Sequence, residues 1–354
     1  MISKMIKTDI IIIGAGPVGL FAVFEAGLLN MKCHLIDILP KPGGQCIELY
    51  PKKPIYDIPA YPEILAGDLI KNLLKQCSQF EPGFTLGERA EKFEKLKDGN
   101  FLITTDKGTR HCAPVVAIAG GLGGFQPRKP NFEGLSNYEN KGVCYFVKEP
   151  KKFKNKNIVI SGGGDSALDW TIELSKIAKK VTLVHRRNEF RGALDSVEKV
   201  QELKNKNRIN IITPAEVFNL SGNKKLQHVY VKNGEDQIKV EADYFIPLFG
   251  LTPRLGSISE WGLEIEKNSI VVNNSLDYQT NIPGVFAIGD INTYAGKLNL
   301  ILCGFHEAAL MCQAAFKIIN PNKKYVLKYT TVSGIKGFDG SVKKAQAPVV
   351  KSIK

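Results

Sequence analysis

Ile10-Ile-Ile-Ile-Gly14-Ala-Gly16-Pro-Val-Gly19, which closes on Asp37 at the end of Lys32-Cys-His-Leu-Ile-Asp37, decides the fold, because the same phrase returns 148 residues later. The second copy reads Asn157-Ile-Val-Ile-Ser-Gly162-Gly-Gly164-Asp-Ser-Ala167 and closes on His185-Arg186-Arg187. Adding 148 to Gly14, Gly16, Gly19 and Asp37 gives Gly162, Gly164, Ala167 and His185, so the register holds through both units. In each, an apolar run feeds a glycine turn and then a helix, the opening of a βαβ unit. The first glycine permits the tight turn and the second lets a pyrophosphate approach the backbone. The third (or Ala167) lets helix and strand pack closely. The helix N-terminus adds unpaired N–H groups and partial positive charge. The pattern predicts an α/β chain with two Rossmann-like, three-layer ββα dinucleotide-binding domains. Candidate cofactor-binding residues are Gly14, Gly16, Pro17 and Gly19 in the first turn, and Gly162, Gly164, Asp165, Ser166 and Ala167 in the second. Two redox dinucleotides in one chain imply electrons passing between them.

The two copies end in opposite charges. Asp37 lies 23 residues after Gly14, where an acid accepts hydrogen bonds from an adenosine ribose and repels a 2′-phosphate. The first site is therefore expected to take FAD or NAD. At the equivalent place the second copy has His185, followed by Arg186, Arg187 and Arg191. Only 8 of the 48 basic residues are Arg, and three of those 8 fall within six positions. The planar guanidinium fork suits phosphate, so the second site is expected to prefer NADPH.

A chain of 354 residues with 44% hydrophobic content can form two domains of ordinary size. The apolar stretch 10–29 could pass for a signal peptide or membrane span, but it contains Glu25 and four glycines that the fingerprint explains. No other run is expected to be long enough to span a bilayer. Seven cysteines at scattered spacings form no Cys-x-x-Cys and no zinc pattern, which points to reduced, structural thiols in the cytoplasm. The net charge of +13 comes from dispersed lysines without a nucleic-acid-binding module. It fits either a compositional habit or attraction to an acidic protein partner. The densest stretch, Lys148-Glu-Pro-Lys151-Lys152-Phe-Lys154-Asn-Lys156, is a docking surface or a solvated turn.

The order of segments implies one domain inserted in another. The first unit runs to a strand over 113–119, followed by Gly120-Gly-Leu-Gly-Gly124, a plausible hinge. The second occupies 120–247 and ends near a further hinge signal at 244–253. The chain then returns to the first domain over 248–330, through Thr280…Phe286-Ala287-Ile-Gly289-Asp290 and a helical pattern from about Leu298 to Ile319.

Thr…Phe-Ala-Ile-Gly-Asp resembles the late FAD motif of the two-dinucleotide flavoprotein reductases, in which the Asp binds the ribityl chain. The layout is similar to thioredoxin reductase, but the redox-active Cys-x-x-Cys of those enzymes is missing and Cys144 stands alone in the second unit. Val18 stands where the bacillithiol-disulfide reductases carry a Cys, and the flavin monooxygenases' Phe-x-Gly-x-x-x-His is absent. The chain most resembles the thioredoxin-reductase-like ferredoxin–NADP(+) reductases over about 330 of its residues. The phrases that carry this are Gly43-Gly-Gln45-Cys46…Tyr50-Pro51, Gly87-Glu-Arg-Ala90, Gly162-Gly-Gly-Asp-Ser-Ala-Leu-Asp-Trp170, His185-Arg-Arg-Asn-Glu-Phe-Arg191 and Ala287-Ile-Gly-Asp290.

That resemblance implies flavin contacts from Asp37, Gln45, Tyr50, Ala90 (through its backbone), Phe125, Asp290 and Thr331. It also implies a C-terminal extension, 331–354, that covers the flavin before a basic tail. Tyr50 would stack on one face of the isoalloxazine, with Tyr329 the candidate for the other. The tail from Ser341, with four Lys, is expected to lack order. The activity implied is electron transfer from NADPH through FAD to ferredoxin in a cytoplasmic homodimer, without a conventional acid, base, nucleophile or metal, and with the NADPH domain turning about the two glycine hinges. An NADPH–flavin reductase serving flavodoxin or a small-molecule acceptor would carry the same motifs. A redox-silent FAD/NADP-binding sensor is the remaining class.

Overall fold

The computed structural model describes residues 5–124, 126–252, 254–273, 276–323 and 330–344. The chain divides into two compact units: Met1–Gly124 with Pro253–Lys354, and Phe125–Thr252 between them.

The first unit is built on a five-stranded parallel sheet. Its order is Val285–Ala287, Val115–Ile118, Ile10–Ile13, Cys33–Asp37 and Gly83–Leu86. Ile10–Ile13 is central and buried at every position, as an unbroken β-branched run covered on both faces should be. The Pro17–Leu28 helix follows the glycine turn and is apolar nearly all round. A four-stranded sheet, Ile6–Lys7, Arg110–Ala113, Phe101–Thr105 and Ala90–Lys95, forms the second β layer. The segment expected as one strand over 113–119 is therefore split: Arg110–Ala113 belongs to this smaller sheet and Val115–Ile118 to the parallel one. Pro114 between them cannot donate to either ladder.

The second unit repeats the plan. Its parallel sheet runs Ile209–Ile212, Lys180–Val184, Asn157–Ser161 and Tyr244–Pro247, beside an antiparallel sheet of Glu216–Ser221, His228–Asn233 and Asp236–Glu241. The 148-residue offset holds in the pairing itself: Ile10 faces Cys33, and Ile158 faces Val181. The final strand Leu251–Thr252 pairs with Gln126–Pro127 at the unit's start.

Three expectations need correction. The late helix spans Ile301–Ile319 rather than starting at Leu298, because Leu298 and Leu300 lie exposed in the approach to it. By length and composition alone that helix could cross a membrane, so the stretch 10–29 is not the only such run. In the structure it seats Ala308, Met311, Cys312 and Ala315 in the unit's core and carries buried Glu307. The segment from Ser341 is not wholly without structure, since Val342–Lys343 pairs with Ile335–Lys336. This hairpin is fastened by Phe338 and Asp339 N–H groups on the Gln79 carbonyl and by Phe338 edge-on to Phe80 at 5.5 Å. Residues 345–354 lie outside the described residues.

Candidate functional site

In the first unit the glycines divide by what surrounds them. Gly14 has φ +110° and a Cβ there would lie 2.3 Å from the Ala119 carbonyl oxygen, while one at Gly19 would lie 2.1 Å from that of Gly14. Both are required by the protein's own packing. Gly16 is different. Its backbone is extended (φ −74°, ψ −176°) and nothing lies within 4 Å of its Cβ position. No protein contact requires a glycine there, and the space it keeps open fits a pyrophosphate against the Pro17–Leu28 helix N-terminus. The second unit matches: Gly162 is hemmed in by the Leu248 carbonyl oxygen at 2.6 Å, and Gly164 faces open space.

Asp37 ends the strand beside the first turn and is 8% exposed. Its Oδ2 accepts the Ala15 N–H at 2.6 Å and its Oδ1 accepts the Leu39 N–H at 2.8 Å. Burial raises its pKa, and the two backbone donors oppose that. A carboxylate has about four acceptor positions, so Asp37 can hold the turn and still receive ribose hydroxyls. Ala90 begins a strand close by, because the Gly87 and Glu88 N–H groups bond to the Leu39 and Asp37 carbonyls.

Two further segments close on the first turn. Gly43 donates its N–H to the Ala15 carbonyl at 2.8 Å, which sets the short Gly44–Glu48 helix beside Gly16. That helix carries Gln45, with its Nε2 near Gly121, and buried Cys46, whose Sγ is 3.9 Å from the Tyr50 hydroxyl. Burial pushes the Cys46 thiol up to about 11, and Asp290 stands close enough to raise both Cys46 and Tyr50. Tyr50 is half-buried, with the Lys53 ammonium 6.0 Å from its ring centroid.

Asp290 sits on the Gly289–Ile291 turn, directly after the Val285–Ala287 strand. Burial raises its pKa and Lys297 opposes the rise. The turn is held from beneath by Glu307, which is fully buried. Glu307 Oε2 accepts the Gly289 N–H at 2.6 Å and the Asn292 Nδ2–H at 2.9 Å. Its Oε1 accepts the Tyr294 hydroxyl at 2.9 Å and Lys297 Nζ at 2.5 Å. Lys297 also donates to the Gly289 carbonyl at 2.9 Å. Neither Glu307 nor Lys297 stands out in the sequence. A lone acid inside an apolar helical run was the only signal available.

Asp37, Gln45, Tyr50 and Asp290 are thus gathered near Gly16 by the contacts above. Thr331 is exposed on the short Thr330–Ser333 helix, and among the described residues no hydrogen bond ties it to that group. Phe125 and Tyr329 lie outside the described residues.

In the second unit Arg186, Arg187 and Arg191 are exposed, and none pairs with a carboxylate among the described residues. His185 is turned inward, unlike the three arginines. Its ring is buried at 5% exposure, its Nε2 lies 3.0 Å from the Glu189 carbonyl, and it stacks on Phe190 at 5.3 Å. Burial lowers its pKa, and the three arginines push the same way against the Glu189 contact. Asp165 and Ser166 are exposed in the first turn of the Asp165–Ser175 helix, and Ala167 is buried beneath them. The basic stretch Lys151, Lys152 and Lys154 is exposed at the opposite end of the Asn157–Ser161 strand from the glycine turn.

The pattern of the pyridine nucleotide-disulphide oxidoreductases matches residues 8–308. The chain is 68% identical to the ferredoxin–NADP reductase of Flavobacterium johnsoniae, covering 99% of this chain and 100% of that one. It is 52% identical to the ferredoxin–NADP reductase of Mesorhizobium japonicum, over 93% and 96%. A crystal structure of Lactococcus lactis thioredoxin reductase superposes with a TM-score of 0.76 at 26% identity, covering 89% of this chain and 99% of that one.

Proposed function

This chain belongs to the pyridine nucleotide-disulphide oxidoreductase family, and from that premise we propose that it is an FAD-dependent ferredoxin–NADP(+) reductase. The observation that carries this is the near full-length identity with curated ferredoxin–NADP reductases. FAD, when bound, couples a two-electron donor, NADPH, to a one-electron acceptor. The first unit is the FAD-binding domain: Gly16 leaves room for the pyrophosphate, Asp37 accepts from the ribose, Asp290 receives the ribityl chain, and Gln45 and Tyr50 line the isoalloxazine. Glu307 and Lys297 hold Asp290 in place. The second unit binds NADPH, with Gly164 admitting its pyrophosphate and Arg186, Arg187 and Arg191 clamping the 2′-phosphate. No two of the seven cysteines are spaced as Cys-x-x-Cys, which supports a route to an external iron–sulfur protein rather than to an internal dithiol of that kind.

The partner is an acidic ferredoxin, steered by a net charge of +13. Flavodoxin is the alternative acceptor. The enzyme works as a cytoplasmic homodimer and engages neither membrane nor nucleic acid. Anaerobic stopped-flow of the yellow holoprotein tests this: NADPH should bleach the flavin, and oxidised ferredoxin should restore the colour at a rate that falls with salt. Bleaching without transfer to ferredoxin or flavodoxin would leave a flavin reductase. No bleaching would leave a nucleotide-binding sensor.

A further inference from the structure

We propose that Asp165 is a positioning residue that fixes the arginine loop over the second glycine turn and thereby sets the preference for a 2′-phosphorylated dinucleotide. The inference rests on the reading of the second unit as the NADPH site.

The loop between the Lys180–Val184 strand and the Leu194–Asn205 helix carries all three arginines. Free arginine side chains on a free loop would pay rotamer and backbone entropy to converge on one phosphate. This loop is instead fastened at three points. At its start, the His185 Nε2–Glu189 carbonyl contact of 3.0 Å folds the backbone back on itself. Near its end, the Arg191 N–H donates to the Gly163 carbonyl at 2.7 Å. At the close, the Ala193 N–H donates to Asp165 Oδ1 at 2.7 Å. Gly192 is pressed between the helix start and the loop, since a Cβ there would lie 2.6 Å from Leu168 Cδ1 and 3.2 Å from Asp165 Oδ1.

The two copies of the fingerprint differ at each of these positions. Subtracting 148 from 163, 165 and 185 gives Ala15, Pro17 and Asp37. In the first unit the Ala15 N–H is held by the Asp37 carboxylate, and Pro17 begins the helix without a side-chain acceptor. In the second, the His185 ring takes the place of that carboxylate. Its Cε1 lies 2.2 Å from where a Gly163 Cβ would be, so any side chain at 163 would displace the ring. Asp165 replaces the proline and supplies an acceptor to the arginine loop, which the first unit does not need. As a direct ligand of an anionic pyrophosphate, a carboxylate has the wrong sign. As an anchor for the loop it has the right geometry.

The test uses two probes that differ only by the 2′-phosphate, adenosine 2′,5′-bisphosphate and 5′-AMP, titrated calorimetrically into the flavin-loaded protein. Asp165→Ala should weaken the bisphosphate roughly tenfold, the order of one net hydrogen bond, while 5′-AMP stays within about twofold. Asp165→Asn keeps an Oδ1 acceptor and should recover most of the loss. Gly192→Ala, whose methyl would press on Leu168 and Asp165, displaces the same loop while leaving the Asp165 carboxylate in the chain, and should give the same split between probes, so the test survives if Asp165→Ala fails to fold. Equal weakening of both probes, or of neither, would overturn the proposal. Arg186→Ala/Arg187→Ala is titrated in parallel. If that pair also fails to discriminate the probes, the NADPH assignment itself falls. If it discriminates and the Asp165 and Gly192 variants do not, only the positioning role falls.

Discussion

Replacing Glu307 should damage the first unit more than any surface charge change, and in a specific order. The carboxylate is fully buried and receives four donors, the Gly289 N–H, Asn292 Nδ2–H, Tyr294 hydroxyl and Lys297 ammonium. Glu307→Leu would strand all four and leave the Lys297 ammonium, whose side chain is 8% exposed, without its carboxylate. Breaking a buried pair by removing one partner costs about 3–5 kcal/mol. For a unit of this size that corresponds to roughly 6–20 °C in melting temperature. Removing both charges, in Glu307→Leu/Lys297→Met, should cost less than the single change, because no orphaned ion remains. Glu307→Gln preserves shape but must turn its amide NH2 toward two of the donors, and should fall between. The assay is thermal unfolding of the flavin-loaded protein, with free FAD measured after dialysis. Since Glu307 holds the turn that carries Asp290, flavin loss should rank with the loss of stability. A single mutant that melts within about 2 °C of wild type, or a double mutant less stable than the single, would refute the buried-pair account.

Gly16→Val should leave the fold intact, because that position is open, yet abolish FAD retention, and Gly164→Val should do the same to NADPH binding while flavin stays bound. Gly14→Ala should instead destabilise the protein, as its methyl would meet the Ala119 carbonyl at 2.3 Å. Arg186→Ala/Arg187→Ala should weaken NADPH by one to several orders of magnitude, at about 1.5–3 kcal/mol per charge-assisted bond, and barely affect NADH in fluorescence titrations. Equal losses would remove those residues from the 2′-phosphate site. His111 is fully buried, and burial together with neighbouring His34 lowers its pKa to about 4. The folded state therefore holds fewer protons than the unfolded chain, so its contribution to stability is complete above about pH 6.5. It is lost as pH falls toward 4, by at most about 1.4 kcal/mol per pH unit. Urea midpoints of wild type and His111→Gln at pH 7 and pH 5 check this: wild type should lose more, and parallel declines would contradict it.

Much of the candidate site was legible because its signals are local. A glycine turn between strand and helix is written in adjacent residues, and Asp37 follows at the distance one βαβ unit imposes. The arginine cluster was legible for the same reason. The inward turn of the His185 ring was not legible, because sequence position says which residue ends a strand and not which way its ring turns. That direction depends on Gly163, 22 positions earlier, leaving room for the ring. Glu307 was missed for a related reason, since its four partners lie 10 to 18 residues away across a turn and share no periodicity with it.

By itself the sequence determined that two dinucleotide-binding units repeat at an offset of 148 residues, that their reading positions carry opposite charge, and that one is inserted in the other. These follow from short-range rules: which residues permit a turn, pack a helix on a strand, or attract a phosphate. The tertiary structure alone decided that Asp37 braces its own glycine turn and that a buried Glu307–Lys297 pair supports Asp290. It also decided that Asp165 and Gly163 fasten the arginine loop. Each of these joins groups far apart in the chain, and a hydrogen bond acts only within about 3 Å of space, whatever the separation in sequence.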